Sequence, residues 1–110
     1  MNNIKRYHIN EECAWSQMVE AGDFVFLDFC VGNVGQSVEA QVHGALDDME
    51  NHLKQIGLTL ASVVKVDVLL RDAWNIPTME KVFKERFQGQ YPARKTIQTN
   101  FAHIGGPEGL

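Results

Sequence analysis

No stretch of this 110-residue chain approaches the roughly 20 consecutive apolar residues of a membrane-spanning helix. Its amino terminus, Met1-Asn2-Asn3-Ile4-Lys5-Arg6, lacks the apolar core of a secretory leader. Basic residues are scarce: 10 Lys and Arg against 14 Asp and Glu leave a formal charge of -4, with no Lys/Arg run to follow a phosphate backbone. Nucleic acid is therefore disfavoured as a partner. There are only two cysteines, Cys13 and Cys30, with no CxxC spacing, and both are read as buried thiols rather than as a disulfide or metal ligands. His8, His43, His52 and His103 show no ligand spacing, so no metal is expected. Gly105-Gly106 before Pro107 opens no helix and reads as a turn rather than a phosphate cradle, so no cofactor is implied. Repeats, linkers and low-complexity segments are absent. These absences lead to the expectation of one soluble domain over residues 1–110, in a reducing cytoplasm. A 12.4 kDa domain builds a real core yet leaves apolar surface uncovered, which favours oligomers.

The chain does carry clear periodicity. Asp23 to Val31 (DFVFLDFCV) is an apolar run bounded by glycines and predicts a buried strand. Val38, Val42, Ala45, Leu46, Met49, Leu53 and Ile56 recur at helical spacing, with Ser37 as N-cap and Gly57 at the left-handed stop. Ser62 to Leu70 alternates, setting Val64, Val66, Val68 and Leu70 against Lys65 and Asp67, as in a strand. After Asn75-Ile76-Pro77, a second amphipathic stripe joins Met79, Val82, Phe83 and Phe87. Ala93 to Phe101 is extended again, with Arg94, Thr96 and Gln98 on one side. Two β-α-β units in succession predict a mixed sheet with both helices on one face. The other face, bearing Leu27, Phe29 and Val31, would be covered by self-association.

Arg94 opens that last strand within Tyr91-Pro92-Ala93-Arg94-Lys95-Thr96. A guanidinium there presents planar donors that match two oxygens of a small carboxylate or phosphate. From the residues alone, an ion pair with Asp28, Glu80 or another acidic group is the preferred reading of Arg94.

Several motifs agree in order and spacing with a known family. Gly22-Asp23-Phe24-Val25-Phe26-Leu27, Gln41 with Ala45-Leu46-Asp47-Asp48 and Gly57-Leu58, Val63-Val64-Lys65-Val66 with Leu69-Leu70-Arg71-Asp72, and Pro92-Ala93-Arg94 resemble the RidA/YjgF family of reactive-intermediate deaminases, over residues 15–107. The resemblance implies an α+β, chorismate-mutase-like single domain that forms homotrimers with pockets at the subunit interfaces. It implies hydrolysis of enamines and imines, such as 2-iminobutanoate and 2-iminopropanoate, to a 2-keto acid and ammonia. Arg94 stands where the family grips the substrate carboxylate, Thr96 where a cysteine is usual, and Trp15 where a pocket tyrosine is usual.

The chain also departs from the pattern. Asp28-Phe29-Cys30 replaces Ser-Gly-Gln, which places Asp28 as a possible general base and Cys30 as a substrate contact. Glu80 replaces a pocket asparagine, and a carboxylate beside a carboxylate-binding arginine either repels the ligand or pairs with the arginine. The sequence stops at Gly106-Pro107-Glu108-Gly109-Leu110, where the family continues into a last strand bearing a glutamate that positions the attacking water. The expected domain therefore lacks that strand. An alternative reading follows from these changes: a non-catalytic trimeric module that binds a small carboxylate. Endoribonuclease or translation-inhibitor activity, ascribed to some members of the family, fits the acidic charge poorly.

Overall fold

A computed structural model of the chain describes residues 3–100. Its first unit, ending at Cys30, is an antiparallel meander of β1 (Ile4–Asn10), β2 (Trp15–Ala21) and β3 (Phe24–Leu27), in that order. Pairing runs from Ile4 opposite Ala21 to Asn10 opposite Trp15, and from Met18 opposite Leu27 to Ala21 opposite Phe24. Gly22, at φ 61°, makes the turn into β3, where a side chain would strain the backbone. Strand alternation puts Leu27 beside buried Met18, while Phe24 and Phe26 point the other way and are exposed.

On the β1–β2 ladder the Tyr7 hydroxyl donates to Glu20 Oε1 at 2.6 Å, and Lys5 Nζ lies 4.9 Å from the Tyr7 ring centre. The Glu20 hydrogen bond, followed by desolvation, raises the Tyr7 pKa above the ordinary tyrosine value. A raised phenol pKa means that the fold favours the protonated form. Its contribution to stability is complete below about pH 10, the ordinary value for tyrosine, and is lost as pH rises through the folded pKa. Glu20→Gln is expected to lower the Tyr7 titration toward the ordinary tyrosine value, as read by ultraviolet absorbance in a Tyr91→Phe background. An unchanged midpoint would refute the contact.

The second unit, beginning at Val31, contains α1 (Val38–Lys54), β4 (Lys65–Leu70), α2 (Ile76–Phe87) and β5 (Ala93–Gln98), with 3-10 turns at Leu60–Ser62 and Ala73–Asn75. Ser37 caps α1 as expected, its hydroxyl accepting from the Ala40 N–H. The helix ends at Lys54, short of Ile56, and Gly57 at φ 77° closes a turn by donating to the Lys54 carbonyl. Asn75 precedes α2, and Pro77 sits in its first turn, where a missing N–H costs nothing. Val42, Leu46, Leu53, Leu60, Met79, Val82, Phe83 and Phe87 are buried, so both predicted stripes form core. Burial of each such side chain stabilises the fold by about 1.5–3 kcal/mol.

The segment before α1 lies along one helix stripe. The Val31 N–H donates to Asp48 Oδ2 at 3.1 Å, and Asn33 Nδ2 donates to the Ala40 carbonyl at 2.8 Å. Between them Gly32 meets Gly44 so closely that a Cβ on Gly44 would stand 2.6 Å from the Gly32 carbonyl carbon. Across the two helices, Arg86 donates to Asp47, Glu50 and the His43 carbonyl at 2.7, 2.8 and 3.1 Å.

The α+β class and the two helices stand as expected, and the strands include antiparallel and parallel pairs. Several finer expectations are corrected. Among the described residues the strands divide into two sheets, β1-β2-β3 and β4-β5, and only β4-α2-β5 closes a parallel crossover. A hairpin, β1–β2, occupies a stretch for which no element was expected from the sequence. The strand expected over 23–31 covers only Phe24–Leu27, and the one expected from Ser62 begins at Lys65, after a 3-10 turn capped by Thr59. Leu27 is on the half-buried side of β3, so the exposed apolar face is that of Phe24 and Phe26. Cys13 is exposed in the β1–β2 turn, and Cys30 is half-buried. Phe101, His103 and Gly105 to Leu110 lie outside the described residues.

Candidate functional site

The β4–β5 pair has one clothed and one bare face. Val66 lies opposite Arg94, Val68 opposite Thr96 and Leu70 opposite Gln98, and paired residues of parallel strands share a face. Val66, Val68 and Leu70 are half-buried, whereas Lys65, Asp67 and Leu69 on the alternate face are exposed. The bare face carries a Lys65–Asp67 ion pair, which lowers the Asp67 pKa.

Arg94 thus starts on the face that meets α2. Its NH1 approaches Met79 Sδ at 3.2 Å, and its Cζ stands 6.0 Å from the Phe83 ring centre. A thioether is a weak acceptor and an aromatic face a soft partner, so these contacts seat the side chain without exhausting its five N–H donors. Its NH2 donates to Glu80 Oε2 at 2.9 Å. The Arg94 side chain keeps 28% of its accessible surface and that of Glu80 keeps 46%, so both charges reach solvent. Of the two alternatives open for Glu80, pairing with the arginine is the one observed. Two residues along, Thr96 Oγ1 is buried with no hydrogen-bond partner among the described residues. A lone buried hydroxyl costs about 1–3 kcal/mol unless something satisfies it.

The structure therefore brings Arg94 and Glu80 together and puts Thr96 on the same strand face. The remaining candidates belong to the first unit. Trp15 opens β2 and is half-exposed. Asp28 is exposed just past β3, its N–H donating to the Gln17 carbonyl, and Cys30 Sγ contacts the Asp28 carbonyl at 3.7 Å. Met79 and Phe83 were legible only as core positions. Their contact with Arg94 has no signal in the sequence beyond their place on α2 beside Glu80.

A second polar cluster joins the helices. Glu39 and His43, four apart on α1, meet Glu85 of α2 with one ligand atom each within 4.8 Å of the others. Lys81 Nζ sits 3.3 Å from Glu39, and Arg86 NH1 lies 3.1 Å from His43 Nδ1. Lys81 already pairs with Glu39 and the Arg86 guanidinium sits against His43 Nδ1, a poor arrangement for a metal. A cleft lined by Glu50, Thr59, Arg86 and Gln88 lies on the same unit but is not lined by Arg94.

The family model described as Endoribonuclease L-PSP matches residues 6–103. The chain belongs to this family, also known as RidA/YjgF. Among solved structures, a hypothetical protein from Streptococcus pyogenes M1 GAS, described as a member of the highly conserved yjgF family, is 60% identical with a TM-score of 0.89, covering 100% of this chain and 90% of that one. Among curated proteins, the Reactive Intermediate Deaminase A, chloroplastic, of Arabidopsis thaliana is 33% identical over 91 residues, which make up 76% of this chain and 49% of that protein. This RidA/YjgF chain thus matches about half the length of that relative. The 2-iminobutanoate/2-iminopropanoate deaminase of Dermatophagoides farinae is 29% identical over 93 residues, or 76% and 70% of the two chains. The α+β architecture is the RidA/YjgF fold. Among the described residues no helix is long and apolar enough to cross a membrane.

Proposed function

We propose that this RidA/YjgF protein hydrolyses small 2-imino acids to 2-keto acids, with Arg94 binding the substrate carboxylate. The observation that carries the reading is the Arg94 guanidinium, seated on Met79 and Phe83, open to solvent and retaining unused donors. Deaminase names among the curated relatives support it. In the reaction, water adds to the C=N carbon and the nitrogen leaves. A protonated imine plus water gives the keto acid plus ammonium, so no oxidant or cofactor is needed. Arg94 supplies position: a carboxylate held by two parallel hydrogen bonds fixes the adjacent imine carbon for attack. Thr96 Oγ1 offers a further polar contact on the same strand face.

Self-association into a homotrimer belongs to the same proposal. Its support is the exposed apolar surface of Phe24 and Phe26, which a solvated monomer leaves uncovered. A cytoplasmic setting would bring the protein to the enzymes that release such imines.

The test couples a threonine dehydratase to the protein and follows 2-oxobutanoate release where spontaneous imine hydrolysis is slow. Wild type is expected to accelerate release and Arg94→Ala is not. No acceleration by folded wild-type protein sinks the deaminase reading and leaves a carboxylate-binding module.

A further inference from the structure

The Arg94–Glu80 pair sits oddly with a site for a simple anion. An arginine meant for a carboxylate alone is weakened by a carboxylate 2.9 Å from one of its nitrogens, since the incoming anion meets a neutral pair. Yet among the described residues Glu80 is not held elsewhere on its helix. The neighbouring Lys81 turns to Glu39 at 3.3 Å, which leaves Arg94 as the partner of Glu80 among those residues. The pair is also made through one oxygen and one nitrogen only, so Glu80 Oε1 and further Arg94 donors remain for a ligand.

We propose that Arg94 and Glu80 together form a receptor for a zwitterion, and that Glu80 is the specificity-determining residue that selects the protonated imine. Arg94 takes the carboxylate and Glu80 takes the cationic nitrogen. In an α-iminio acid the nitrogen sits on the carbon next to the carboxylate carbon, so its two charges are close enough to lie against a pair 2.9 Å across. Four alternating charges then form a closed array, and neither protein charge is left beside a like one. The proposal rests on the deaminase reading for the identity of the nitrogen.

Two consequences follow for that reaction. Protonation makes the C=N carbon more electrophilic, and a carboxylate beside the nitrogen favours the protonated form. The product differs in the feature that Glu80 recognises. A 2-keto acid has lost its cationic nitrogen as ammonium, so it faces Glu80 as a bare anion and departs.

Two probes of equal carbon number separate these contributions: 2-aminobutyrate, a zwitterion at neutral pH, and butyrate, an anion. Binding of each is followed by nuclear magnetic resonance titration of wild type, Glu80→Gln, Glu80→Asp and Arg94→Ala. Wild type is expected to prefer 2-aminobutyrate. Glu80→Gln should weaken 2-aminobutyrate and tighten butyrate, moving the ratio of the two dissociation constants by about ten-fold, the size expected when a half-exposed charge acts on both probes in opposite senses. Glu80→Asp, which keeps the charge, should keep the preference. Tightening of both probes alike in Glu80→Gln would reduce Glu80 to an internal competitor and overturn the proposal, as would an unchanged ratio. So would failure of wild type to bind either probe. The readout needs no turnover, so it stands apart from the dehydratase assay. A shifted ratio with no keto-acid release would retire the deaminase reading alone, and release with an unshifted ratio would retire the role of Glu80 alone.

Discussion

Arg94→Ala is expected to weaken the binding of small carboxylates by roughly 10- to 100-fold while leaving the protein folded. The first half follows from charge-assisted hydrogen bonds to a carboxylate, each worth about 1.5–3 kcal/mol. The second follows from where the side chain sits. Arg94 keeps 28% of its surface, and its protein partner Glu80 keeps 46%, so the ion pair is screened and contributes at most about 1 kcal/mol to folding. Loss of contact with Met79 and Phe83 adds little, because both remain buried in the α2 core. Arg94→Lys separates charge from shape: it retains the positive charge but not the planar fork, so binding should fall to an intermediate level. Butyrate titrations beside urea unfolding check both halves. If Arg94→Ala loses its fold before it loses binding, Arg94 is structural.

Gly44→Ala is expected to destabilise the second unit by about 2–3 kcal/mol, the reverse of what helix propensity foretells. In the interior of a helix alanine is favoured over glycine by about 1 kcal/mol, and Gly44 lies midway along α1. Its Cβ, however, would stand 2.6 Å from the Gly32 carbonyl carbon, 2.8 Å from Asn33 Nδ2 and 2.9 Å from Gly32 Cα. The Gly32 atoms are backbone and cannot swing aside as a side chain would. Relief requires the 31–33 segment to lift from α1, and that segment is held at both ends by Val31 to Asp48 and Asn33 to Ala40. Ala40, Gly44 and Asp48 are spaced by four, so all three lie on one stripe of the helix. The urea midpoint should fall with little change in slope. A midpoint at or above that of wild type would mean that the contact yields without cost.

Much of this molecule was legible because its helices are local objects. Ser37, the stripe from Val38 to Leu53 and the left-handed Gly57 define α1 from spacing and caps alone, and the same holds for Pro77 and the Met79–Phe87 stripe of α2. Strands were less legible. Ile4–Asn10 and Trp15–Ala21 mix polar and apolar residues without clean alternation, and His8 at φ 53° interrupts the regular backbone inside β1. Nothing local announces their pairing, since a ladder is made with a partner strand. The run from Asp23 to Val31 looked like one long strand because it is rich in Phe and Val, but past the Asp28 N–H, which still donates to Gln17 of β2, the chain leaves the ladder, and Val31 N–H bonds to a helix side chain instead.

The sequence by itself determined the two helices, the buried stripe of Met79, Val82, Phe83 and Phe87, the alternation that sets Val66 and Val68 against Lys65 and Asp67, and through its motifs the RidA/YjgF family. These depend on periodicity and on neighbours within a few positions. Only the tertiary structure decided that Glu80 is a carboxylate paired with Arg94, that Thr96 Oγ1 is enclosed without a hydrogen-bond partner among the described residues, and that Gly32 and Gly44 touch. The members of each such pair lie 12 or more residues apart, or lose solvent to elements distant in the chain. Their meeting depends on how α2 crosses from β4 to β5 and how the 31–33 segment lies on α1, and no local pattern encodes those placements.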